Sequence, residues 1–123
     1  MNPEPVIPPL TLTGAISRDV VERCISECLA CHTVCLRTAT QPGLELGGKH
    51  TEARHFRLML DCAQICQTTA DFLLRGSAVC DILCGTCALV CEACARSCEE
   101  TGDLDECLWA ARRCAEACHS LMT

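Results

Sequence analysis

The sequence predicts an all-α fold, an antiparallel up-down four-helix bundle with a cysteine-lined core. Three observations predict it. Four amphipathic segments of about 17 to 25 residues are separated by short breaks, the arrangement expected of antiparallel neighbours. No stretch sustains the two-residue alternation of a strand. Apolar and cysteine residues recur in steps of three and four, the spacing of a helical seam that faces a partner.

The first segment opens at Ser17, whose hydroxyl suits an N-cap, and runs to about Thr40, with Gln41-Pro42-Gly43 expected to close it. A loop with three glycines spans 43–49. The second segment runs from about Thr51, with Glu52 among its first residues, to Arg75, where Gly76-Ser77 breaks it. The third spans about Ala78 to Glu99 and ends at Thr101-Gly102. Asp103 is the expected N-cap of the fourth, which reaches about Leu121. Ahead of these segments, residues 1–16 are expected to form an arm, Pro-rich and extended over its first thirteen residues, that packs across the bundle or a neighbour or stays disordered. The bundle domain is then 17–123.

Composition narrows the function classes. The net charge is −6, which excludes a broad basic surface for nucleic acid or anionic lipid. No apolar run approaches the ~20 residues of a membrane-spanning helix. The opening MNPEPVIPPL has no Lys or Arg and is interrupted by Pro3, Pro5, Pro8 and Pro9, unlike a secretory signal. A cytoplasmic location is expected, where thiols stay reduced. Only three residues are aromatic: Phe56, Phe72 and Trp109. Fifteen of 123 are cysteine, a density that marks either a disulfide scaffold or a metal site. An odd count sits poorly with a closed disulfide framework.

The positions of the cysteines decide between them. The first segment carries Cys24, Cys28, Cys31 and Cys35, in steps of four, three and four. The third carries Cys80, Cys84, Cys87, Cys91, Cys94 and Cys98 with the same alternation. The second has Cys62 and Cys66, and its seam extends backward to Met59 and His55 and forward to Thr69 and Leu73. The fourth has Cys107, Cys114 and Cys118, with Ala111 at the remaining seam position. All fifteen therefore fall on inward positions. Residues four apart on a helix lie ~5–6 Å apart at Cβ. Seven such cysteine pairs, 24/28, 31/35, 62/66, 80/84, 87/91, 94/98 and 114/118, leave only Cys107 over.

Copper(I) is soft, favours thiolate, and suits a row of sulfur pairs better than zinc, which asks for four ligands in a tetrahedron. Charge points the same way. Fifteen bare thiolates cannot be buried. Exchange of each thiol proton for one copper(I) leaves the core neutral, whereas zinc at four thiolates per ion leaves it anionic. In the empty state protonated cysteines pack as small hydrophobes, so the metal-free protein is expected to be folded. A general zinc or cadmium thiolate buffer remains an alternative, as does an iron–sulfur electron carrier, although ferredoxin motifs wrap their clusters in loop backbone. Fifteen purely structural core thiols on one seam are a weak explanation, and nothing marks an enzyme.

His55 and Met59 lie on the seam beyond Cys62, near Cys35, Cys98 and Cys107 in an antiparallel bundle. Either they fill space and cap a helix end, or they are mouth ligands that pass copper inward. His32 and His119 lie beside the seam and are expected at the surface. His50 belongs in or near the loop, and Met122 is placed to close the opposite end. Arg112 and Arg113, with Glu99, Glu100, Asp103, Asp105 and Glu106, read as a solvated face.

The segments CISECLACHTVC at 24–35, LDCAQIC at 60–66, CDILCGTCALVCEACARSC at 80–98 and CLWAARRCAEAC at 107–118 together resemble the cytosolic branch of the bacterial cysteine-rich four-helix-bundle copper storage proteins. The resemblance covers roughly residues 17–121. It implies copper(I) held at about one ion per thiol, copper as the bound partner, and homo-oligomers of tetramer type, for which the sequence itself shows no clear patch. A copper chaperone is the class of partner expected to deliver the ion. The chain departs from the pattern at His55, where relatives often carry another thiol, and at Ala111, so a lower capacity is expected.

Overall fold

The computed structural model describes residues 17–122, so the expected N-terminal arm lies outside the described residues. Helix α1 spans Arg18–Thr38, α2 Ala53–Leu74, α3 Cys80–Thr101 and α4 Asp105–Met122. There is no strand among the described residues. Helix α1 packs on α2 and α4, and α3 packs on the same two, which gives a square bundle in chain order. Neighbours run antiparallel: Cys24 meets Cys118 while Cys35 meets Cys107, and His55 meets Ser97 while Thr69 meets Leu83.

Each terminus has a local cause. Ser17 sits in extended backbone and its hydroxyl accepts from Val20 N–H at 3.2 Å, an N-cap as expected. At α2 the cap is Glu52, whose carboxylate accepts from the N–H groups of Arg54 and His55 at 3.0 and 3.1 Å. Helix α2 ends in a Schellman motif. Ser77 N–H donates to Phe72 C=O at 3.0 Å and Gly76 N–H to Leu73 C=O at 3.1 Å, with Gly76 at φ +64°.

Three expectations are corrected here. Gln41-Pro42-Gly43 does not close the first helix. The chain continues as a π-turn, Ala39–Gly43, with Pro42 inside it, then as one helical turn, Leu44–Leu46. Proline has no N–H to donate and its ring crowds the preceding turn, and the wider π-turn absorbs both. Gly43 permits this because a Cβ there would lie 2.8 Å from Thr38 C=O. Asp103 is not the N-cap of the fourth helix: it takes a left-handed φ of 61°, and Leu104 directly precedes Asp105. Helix α3 begins at Cys80, two residues after the expected Ala78, because Ser77 and Val79 complete the turn.

Every cysteine is at most 1% exposed. Small residues, Ala63, Ala70, Ala88, Ala95, Ala110, Ala111 and Ala117, fill the spaces between seams and let the helices approach. The two ends differ. One is plugged by Val21, Leu73 and Leu121 with Thr69 and Cys80; the other holds His50, His55, Thr101 and Leu104. Met122, placed at the first end by sequence, is 41% exposed with its sulfur against Gly85 on the outside of α3, and Leu121 closes the end instead.

Candidate metal centre

The fifteen thiols are free and buried, and thirteen of them, all but Cys80 and Cys98, fall into close groups that form one column along the bundle axis. Its cross-sections can be followed from the apolar end. Cys24, Cys84 and Cys118 form the first group; Cys28, Cys87 and Cys114 join Cys118 in the second. Cys66, Cys87, Cys91 and Cys114 form the third, and Cys31, Cys62, Cys66 and Cys91 the fourth. Cys35, Cys94 and Cys107 form the last. Within each group all sulfurs lie within 4.8 Å of one another. The first four groups share cysteines, and a 3.8 Å contact between Cys31 and Cys35 links the fourth to the last.

Close approaches within one helix occur at Cys31/Cys35 and Cys87/Cys91, at 3.8 and 3.9 Å. Others cross between helices: Cys24–Cys118 at 3.7 Å, Cys28–Cys114 at 3.6 Å, Cys62–Cys91 at 3.7 Å and Cys66–Cys91 at 3.5 Å. Three sulfurs each ~2.3 Å from one ion stand about 4 Å apart. The column therefore needs little rearrangement to enclose ions with thiols from two or three helices, as well as from one.

Burial favours the protonated thiol in the empty column, while hydrogen bonds between thiols raise one partner and lower the other, so that Cys28 is raised and Cys24 lowered. Cys62 is pushed up to about 12, first by its hydrogen bond with Cys31 and further by burial, against opposing neighbours. Burial also raises Cys80. Cys80 stands apart in its contacts: its thiol donates to Ser77 C=O at 2.9 Å and to Phe72 C=O at 3.5 Å, capping the α2–α3 turn. Cys98 borders Cys94 and Cys107 at the polar end.

Both candidate ligands outside the cysteine set point inward. Met59 is buried at 1% exposure and His55 at 3%. His55 Nδ1 pairs with Ser97 Oγ at 2.7 Å, while Nε2 is buried with no hydrogen-bond partner among the described residues. In the tautomer that donates from Nδ1 to Ser97, the Nε2 lone pair is free. Burial holds the imidazole below its usual pKa and so keeps it neutral, the form that binds metal. Ser97 carries no seam signal of its own and could be found only as the neighbour of Cys98.

The flanking histidines divide. His119 is exposed and pairs with Glu92, as expected of a surface residue. His32 is half-buried and donates from Nδ1 to Ala63 C=O at 2.7 Å, tying α1 to α2, because its place beside the seam faces the neighbouring helix. His50, expected in the loop, is in the loop but buried. Arg112 pairs with Glu99 at 2.8 Å and Arg113 with Glu27 at 3.8 Å across partly exposed ground.

The sequence matches the copper storage protein family over residues 17–123. The chain belongs to that family. Members of this copper storage family are storage proteins, not enzymes. Among solved structures, a protein of Nitrosospira multiformis is 45% identical, with a TM-score of 0.84 over 86% of this chain and 97% of that one. A histidine-to-alanine variant of Ccsp from Streptomyces lividans is 30% identical, with a TM-score of 0.75 over 89% of this chain and 97% of that one. No curated protein sequence matches. The buried sulfur column is thus the feature of this copper storage chain that is positioned for metal, and no helix among the described residues is long and apolar enough to cross a membrane.

Proposed function

We propose that this chain stores copper(I) in the cytosol, taking up about one ion per core thiol. The observation that supports this most is the column of thirteen buried thiols in close groups, each group linked to the next. A copper(I) ion entering as a thiol proton leaves adds no net charge to the interior, so the column can fill along its whole length. Zinc has a narrower fit. Two four-sulfur groups, Cys28/Cys87/Cys114/Cys118 and Cys31/Cys62/Cys66/Cys91, share no cysteine and could each take a tetrahedral ion. Each such site would bury two negative charges, which the apolar surroundings oppose. A store built on thiols also works only where thiols stay reduced, which supports the cytosolic assignment.

All fifteen cysteines are assigned as ligands in this reading, with Cys80 last to load because its proton is held by two carbonyls. His55 and Met59 are assigned to the polar mouth beside Cys94, where the free Nε2 and the thioether pass ions to the first thiols. A copper chaperone is the delivering partner. Assembly of like chains into a tetramer is proposed from the family; Leu29 and Leu36 on α1 and Ile82 and Leu89 on α3 are exposed one heptad apart and suit such contacts.

The test is metal competition on the reduced full chain. Copper(I) is expected to displace bound zinc or cadmium, and copper(I) loaded onto the metal-free thiols is expected to release about one proton per ion. Retention of zinc against copper(I), or purification with iron and sulfide, would overturn the reading in favour of a zinc buffer or an electron carrier.

A further inference from the structure

The structure seals its column at both ends, yet an ion has to enter. At the apolar end Val21, Leu73 and Leu121 close it. At the polar end His55 is 3% exposed and Cys98 1%, although this end carries the groups an ion would meet first. What lies over it is the α1–α2 connection. After the helical turn Leu44–Leu46 the chain passes through Gly47, at φ +65° and ψ −157°, and Gly48, at φ +55°. It then makes a 3-10 turn, Gly48–Thr51, and re-enters the bundle at the Glu52 cap.

This short flap reaches across the end of the bundle. His50, 7% exposed, lies near enough to His55 for their charges to interact, and its Nε2–H donates to Gly102 C=O in the α3–α4 turn at 3.3 Å. The Lys49 ammonium passes over the same glycine. One long hydrogen bond therefore holds the free side of the flap. The hinge side is two left-handed glycines with open space where a Cβ would stand, so nothing packed there resists rotation.

We propose that residues 47–51 are a hinged flap over the polar end, latched by His50 on Gly102, and that opening of this latch sets how fast ions and reagents reach Cys98, Cys107 and the column behind them. The inference about ions rests on the storage reading; the inference about access does not. His50 acts here as a latch and not as a ligand, so its removal speeds entry and leaves the amount of copper held at saturation unchanged. Gly47 supplies an independent handle. An alanine there touches nothing, but its backbone conformation is one that only glycine holds without strain, so the closed flap is selectively weakened.

The experiment compares the reduced, metal-free full chain with His50→Ala and Gly47→Ala. It follows alkylation of individual cysteines by a small thiol reagent, resolved by peptide mass spectrometry, and copper(I) uptake by stopped flow. In both variants Cys98 and Cys107 are expected to react about five-fold faster, the scale set by one lost hydrogen bond in His50→Ala and by backbone strain in Gly47→Ala. Cys80, at the far end, should keep its wild-type rate, and copper should load faster to the same final content. Unchanged rates at Cys98 and Cys107 in both variants would overturn the latch. So would equal acceleration at Cys80, which would mean that the bundle has loosened as a whole. A wild-type chain that holds no copper on its thiols would overturn the storage reading alone, because the alkylation rates still judge the flap.

Discussion

Cys80 donates to the carbonyls of Ser77 and Phe72, and a serine hydroxyl in its place can make the same bonds. Cys80→Ser is therefore expected to keep the thermal stability of the metal-free protein and to lose at most one copper, the weakest. Cys80→Ala leaves those carbonyls without their donor and should melt about 1 kcal/mol less stable. Equal losses of several coppers in both would contradict a capping role. His55 is testable through rate as well as amount: His55→Ala should slow copper uptake while removing no more than one ion at saturation. Uptake at the wild-type rate would leave His55 as a buried end plug. At this scale the sequence is legible wherever a residue lies on a seam. Steps of three and four placed all fifteen thiols, His55 and Met59 inward, and the structure buries every one. It is silent on partners reached through the third dimension. Neither Ser97 behind His55 nor Ala63 opposite His32 has a periodic signal, since both contacts depend on how two helices are rotated against each other.

Helix ends show where local rules suffice and where tertiary packing overrides them. Ser17 and Gly76 act as their residue types dictate, one as an N-cap and one in the left-handed position of a Schellman motif. Gly76→Ala should then cost about 1 kcal/mol, read as a lower melting temperature with unchanged copper content. No change in melting would mean that the α2–α3 turn relaxes freely. Pro42 did not end its helix because a π-turn with glycine beside Thr38 takes up the missing donor. Asp103 did not cap α4 because the tight turn after Gly102 places it in left-handed backbone, which Asp tolerates better than most residues. In both cases the residues punctuating the chain were legible, and the backbone path between them was set by how closely the helices had to meet.

For the whole molecule, burial opposes ionisation of the thiols in the empty column, and pH should reveal it through Cys62. Cys62 is raised to about 12, whereas an unfolded cysteine titrates near ~8.5. Between these values the unfolded chain has given up protons that the folded one retains. The resulting stability is whole below pH ~8.5 and is lost as pH rises toward about 12. The metal-free protein is thus expected to be fully helical at neutral pH by circular dichroism and to melt progressively lower through the alkaline range. Copper affinity should move the other way, weakening as pH falls because each bound ion competes with a proton. The most direct test of the account is an anaerobic titration of the reduced full chain with copper(I) against a competing chelator. Saturation near one ion per thiol, about fifteen per chain, is the result expected. Saturation at three or four ions would mean tetrahedral sites and would contradict it.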